Sequence, residues 1–152
     1  MIETASVSSV MCWNDMRQCS PAIEGKGNHI MQIALWIVNV VLAIAFLMAG
    51  GTKLTRSRET LRTTGMAWVD DFSAGVIKLI ASAEILGALG LVLPLATGIA
   101  PILTPLAAVG LAITMVGAVA VHLRRKEAPT PAVVLGVLAV VSAVLGFLVV
   151  LG

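Results

Sequence analysis

Residues 76–97 read VIKLIASAEILGALGLVLPLAT, a run whose only charged side chains are Lys78 and Glu84. At 1.5 Å per residue it forms a helix ~33 Å long, enough to cross a hydrocarbon core ~30 Å thick. The rest of the chain repeats the pattern. Hydrophobic residues make up 59% of the 152 and charged residues 12%, with a mean hydropathy of +1.02. A soluble domain carries roughly 45–50% apolar and about 25% charged residues. The solvent for most of this chain is therefore lipid.

Three further runs satisfy the same length rule. They cover about 30–50, broken only by Gln32 and Asn39, then about 102–123 and about 131–151. Pro101, Pro105 and Pro131 fall at helix starts, where the missing N–H costs nothing. The short connections after Thr97 and after His122 force neighbouring helices to run in opposite directions. The sequence thus predicts an all-α membrane protein, an antiparallel four-helix transmembrane bundle. A cleaved signal peptide fits the first run poorly, because the run is too long and 29 mostly polar residues precede it.

Two units follow, a polar tail over 1–29, expected to be disordered, and the membrane domain over 30–152. Translation from Met31 is an alternative start that would make the tail an upstream extension. The two cysteines, Cys12 and Cys19, lie in this tail at a spacing that matches no metal or redox signature. A disulfide between them and two unpaired thiols both stay open.

The 51–75 connection is the one long loop. Thr55 or Ser57 can cap a short helix through Thr64, closed by Gly65. Leu54, Leu61, Trp68 and Phe72 are expected against the membrane surface, and Asp71 or Ser73 can cap the next helix. Lys53, Arg56, Arg58 and Arg62 mark this loop, and Arg124, Arg125 and Lys126 mark 124–130. The positive-inside rule puts both connections in the cytoplasm and both termini outside. The net charge of +2, with no basic run interleaved with aromatics, gives no sign of nucleic-acid binding.

Polar residues inside the spans carry the functional interest. A carboxylate at mid-membrane costs about 2.5–3.5 kcal/mol on insertion scales, so Glu84 needs a reason to be there. Counted from the ends of their own predicted helices, Asn39, Thr114 and Ser142 reach a depth of ~14–17 Å, close to the ~13 Å of Glu84. One reading makes this layer a pocket for a quinone, lipid or proton. The other makes Glu84 a protonated interhelical glue. Lys53, His122 and Arg125 form a second group at helix ends, where the helix dipole and anionic lipid favour cations. The sharper expectation is that Lys53 or His122 closes the mouth of the pocket above Glu84. A lone histidine builds no metal site. No triad, phosphate loop or carboxylate pair is present, so no catalytic residue is assigned and enzyme activity is not expected of this chain alone. Gly110, Thr114 and Ala118, Ala83 with Gly87, and Ser142 with Gly146 are small-residue seams for helix packing.

Three blocks, LAIAFLMAGGTKL at 42–54, DFSAGVIKLIASAEILGALGLVLP at 71–94 and GIAPILTPLAAVGLAITMVGAVAVHLRRKE at 98–127, resemble the DoxX-like family of small bacterial membrane proteins. The resemblance covers roughly 31–150. It implies a four-helix bundle of the bacterial inner membrane in which Lys53, Glu84 and His122 are recurring polar positions. It also implies a link to quinone-dependent sulfur or terminal oxidation, or to redox-stress partners, although the membrane part here lacks cysteine. Three functions are then weighed. The first is an accessory subunit that binds a quinone or lipid around Glu84 and docks a redox partner through 51–75 and 124–130. The others are a small proton-coupled carrier and a structural anchor. Oligomerisation is open.

Overall fold

A chain in lipid must satisfy its own backbone, and a helix does so within one segment. The computed structural model describes residues 23–64 and 66–151. In order they form α1 (Ile23–Thr55), α2 (Arg58–Thr63), a 3-10 turn (Ala67–Asp71), α3 (Ala74–Thr97), α4 (Leu103–Arg124) and α5 (Thr130–Leu151). Among the described residues there is no strand. Four helices are long and apolar enough to span a membrane, namely α3, α4, α5 and the His29–Thr55 part of α1. The all-helical membrane fold expected from hydropathy is the fold observed. The expectations for residues 1–22, for Cys12 and Cys19, and for Gly65 as a helix stop lie outside the described residues.

The ends of α3, α4 and α5 fall within two residues of the predicted ones, but α1 does not. It begins at Ile23 rather than near Ile30, and it continues through Gly50 and Gly51 to Thr55. An existing helix extends by propagation alone, without a second nucleation cost. Each glycine costs it only roughly 0.5–1 kcal/mol. Gly50 offsets that cost by its contact. A Cβ there would stand 2.9 Å from the Ala81 carbonyl oxygen and 2.9 Å from Ile85 Cγ1, so the hydrogen of Gly50 lets α1 approach α3 closely.

Around the bundle α1 packs on α3, α3 on α4, α4 on α5, and α5 back on α1. Close approaches fix the register. A Cβ on Gly87 or Gly90 would meet Leu111 or Ala107, and one on Gly136 or Gly146 would meet Met115 or Pro105. In both seams residue numbers rise along one helix as they fall along its neighbour. Gly87 and Gly146 therefore act as the packing positions expected of them. Gly110 does not, since a Cβ there would meet nothing within 4 Å. The apolar centre is built from Leu42, Phe46, Leu91, Leu111 and Met115 with small alanines between them.

The 51–75 connection folds over one end of the bundle. Ser57 caps α2 by accepting from the Thr60 N–H, and Ser73 caps α3 by accepting from the Val76 N–H. Arg58 reaches from α2 to the 3-10 turn and donates to the carbonyls of Val69 and Asp70, each at 3.0 Å. Leu61 corrects the surface-lying expectation. It is fully buried with Val69 and Ile77, and half-buried Met66, Trp68 and Phe72 pack against that small cluster. A six-residue helix with one apolar residue buries it wherever a partner surface is nearest, and here that surface is the 3-10 turn with the first turn of α3.

Candidate functional site

The fold brings the polar residues of the interior into two separate layers. Near the basic end, Lys53 in the last turn of α1 donates from Nζ to Glu84 Oε1 at 2.6 Å. The Gly50 contact makes this reach workable, because it sets α1 against α3 one turn before Lys53. Glu84 is 1% exposed and Lys53 13%. The ammonium also faces the Trp68 ring, 5.5 Å from its centroid, and the Trp68 and Phe72 rings meet edge-on at 6.0 Å. The second carboxylate oxygen, Glu84 Oε2, is buried without a hydrogen-bond partner. One buried oxygen thus keeps its full capacity to accept a proton or a hydrogen bond.

The other layer is closed. Asn39 donates from Nδ2 to the Leu91 carbonyl at 3.1 Å and accepts at Oδ1 from Ser142 Oγ at 2.5 Å. Both residues are fully buried. These bonds tie α1, α3 and α5 together, and they lie beside Pro94, which is buried inside α3. Proline offers no N–H, so the carbonyl four residues back has no intrahelical donor. Asn39 supplies a donor to the carbonyl next to that gap.

The single polar layer expected from depth is therefore two layers. Because α1 runs on to Thr55, Asn39 lies ~24 Å from its end, whereas Glu84 lies ~15 Å from the start of α3. Thr114 joins neither layer. It is half-buried, and its hydroxyl donates back to the Gly110 carbonyl at 3.0 Å. A threonine that satisfies itself on its own helix needs no interhelical partner.

Of the two residues offered for the place above Glu84, Lys53 takes it and His122 stays with Arg125 at the end of α4. His122 Nδ1 pairs with Glu127 Oε2 at 3.0 Å, Arg125 Nε donates to Glu127 Oε1 at 2.9 Å, and Arg125 Nη1 donates to Asp71 Oδ1 at 2.8 Å. Trp68, and not His122, accompanies Lys53 near Glu84. Backbone geometry explains the capture of His122. Lys126 takes the left-handed conformation, φ 57°, so the Glu127 N–H returns to the His122 carbonyl at 2.9 Å and the Lys126 N–H to that of Leu123 at 3.1 Å. That is a Schellman turn with lysine where glycine is usual. The Arg125 hydrogen bond, supported by one from His122, holds the Glu127 carboxyl below its ordinary range, against some desolvation. Bonds to Glu127 and Asp71 push the Arg125 guanidinium above its ordinary value.

Sequence reasoning missed Thr104, which is fully buried with its hydroxyl unpartnered, and it missed Glu127 and Asp71 as partners. No spacing signals the last two, since a left-handed residue and a tertiary contact bring them in. Among the described residues no cluster of His, Cys, Asp and Glu could hold a metal ion. Beside Lys53 opens a cleft of about 380 Å³, lined on its polar side by Lys53, Arg56, Arg58 and Lys78.

The model of the DoxX-like family matches residues 37–145, most of the chain and all of both polar layers. The chain belongs to the DoxX-like family. No curated protein and no solved structure matches it. In this DoxX-like chain the matched segment holds Lys53, Glu84 and His122, and it separates them into an interior pair and an end cluster.

Proposed function

We propose that the protein is an accessory subunit of a redox or oxidative-stress-linked complex in the bacterial inner membrane, binding a quinone-class molecule at Lys53 and Glu84. The 51–75 and 124–130 connections face the cytoplasm in this reading, and a soluble or membrane redox partner docks there. The observation that carries it is the loose oxygen of a buried carboxylate whose other oxygen is held by an ammonium. A quinone carbonyl accepts from Lys53, and the hydroxyl of the reduced form donates to Glu84 Oε2. The unfilled acceptor distinguishes this pair from ordinary helix glue, in which both partners are satisfied.

The test uses purified protein in mild detergent, titrated with a short-chain ubiquinone analogue and followed by quenching of Trp68 fluorescence. Saturable quenching that falls in Trp68→Phe to what Trp13 and Trp36 contribute, and weakens in Glu84→Gln and Lys53→Ala, supports the reading. Quenching that is linear in quinone, or equal in all four proteins, removes it.

A second reading has its own support. The closed Asn39–Ser142 layer shows that polar groups in this interior can serve packing alone. If Lys53 and Glu84 do the same, the chain is a structural anchor. Replacing both by apolar residues of similar size would then leave growth under oxidant unchanged.

A further inference from the structure

The cleft at the end of α1 presents cations without an anion. Its lining takes Lys53 and Arg56 from the end of α1 and the residue after it, Arg58 from α2 and Lys78 from α3, and no carboxylate contributes. Two of these cations are committed. Lys53 is held by Glu84, and Arg58 by the Val69 and Asp70 carbonyls. Arg56 and Lys78 are exposed and make no ion pair or side-chain hydrogen bond among the described residues. Both line one concavity, Arg56 just before the 58–71 connection in the chain and Lys78 after it. Like charges held at one cleft repel each other, and a bound anion is what relieves them.

The cleft is also apolar in part. Leu61 and Ile77, both buried, line it, and Leu54, 42% exposed, lines it beside them. It lies at the last turn of α1 and the first turn of α3, where two membrane-crossing helices leave the hydrocarbon. We infer that this cleft binds the phosphate of an anionic membrane lipid, with Arg56 and Lys78 as the binding cations and Leu54 against the first carbons of an acyl chain. A free phosphate shares the anionic chemistry but has no use for the apolar wall. The cleft shares Lys53 with the quinone site, but the inference rests on Arg56 and Lys78, neither of which is bonded to Glu84.

The experiment is native mass spectrometry of the full chain in mild detergent with added phosphatidylglycerol, and in parallel with phosphatidylcholine. Inorganic phosphate is the soluble competitor. One phosphatidylglycerol is expected to bind saturably and phosphatidylcholine not at all, with millimolar phosphate displacing little. Arg56→Ala with Lys78→Ala should weaken binding about tenfold or more. Both side chains are exposed, and unchanged helicity by circular dichroism confirms that the variant is folded. The comparison protein carries Arg124→Ala with Lys126→Ala, which removes the same charge from outside the cleft and should bind as the wild type does. Equal losses in the two double variants, or equal binding of both lipids, would overturn the site. Phosphate competing as well as the lipid would overturn its assignment to a membrane lipid.

Discussion

Lys53 with Glu84, and Asn39 with Ser142, are both buried polar contacts between spanning helices, yet they are built to different standards. The Asn39 amide uses both its oxygen and its nitrogen and joins three helices. The carboxylate of Glu84 uses one oxygen and leaves the other buried and unpaired. Desolvating a polar group without a partner costs free energy that a structural contact has no reason to bear. The difference teaches where to look for chemistry in a bundle that is otherwise packing.

The sharpest break is to remove one member of the charged pair. Lys53→Met should cost about 3–5 kcal/mol, because Glu84 is left buried without compensation. Lys53→Met with Glu84→Leu should recover most of that loss. Unfolding in mixed detergent measures both, and a double variant as unstable as the single one would contradict the pairing. Next in size is Gly50→Ala, expected to cost about 1–3 kcal/mol by overpacking against Ala81 and Ile85. It should also weaken the effect of Lys53→Met measured on top of it, since it forces α1 away from α3.

The closed layer should respond less. Asn39→Ala is expected to cost about 1–2 kcal/mol, and its coupling to Ser142→Ala should be about 0.6–1.7 kcal/mol in a double-mutant cycle. A coupling near zero would mean that Ser142 bonds elsewhere. Smaller still, Lys126→Gly should stabilise by about 0.5–1 kcal/mol by relieving the left-handed strain.

The smallest effect belongs to the half-buried His122–Glu127–Arg125 cluster and concerns pH. The Glu127 carboxyl titrates below its ordinary value of 4.5 in the folded protein, so the folded state holds its proton less tightly than the unfolded state. Its contribution is complete above about pH 4.5 and is lost as pH falls through the folded value. Glu127→Gln should flatten that part of the stability profile and leave the neutral range nearly unchanged.

Most of the fold was legible because lipid selects on length and hydropathy, which are properties of the sequence itself. Three spans were placed to within two residues for that reason. The site was legible only in part. Glu84, Asn39, Ser142 and Lys53 stand out in the sequence as polar residues in apolar spans, and the fold bonds them between helices, but not in the single layer that depth suggested. The apolar run stops near Gly50, whereas the helix continues to Thr55, and that added turn shifts every depth counted from its end. Thr114 failed for a different reason, since nothing in its neighbours tells whether a hydroxyl turns to its own backbone or to another helix. A span apolar on every side gives no clue to which face looks inward.

Pro94 has a consequence for how the molecule is made. Pro94 leaves the Gly90 carbonyl without an intrahelical donor, and the next carbonyl, that of Leu91, is tied by Asn39, 52 positions earlier in the chain. The tie therefore comes from a segment synthesised before the helix it holds. As the second span leaves the translocation machinery, the first already stands in the bilayer with a donor at the right height. Chain order thus spares the interrupted helix from facing lipid alone.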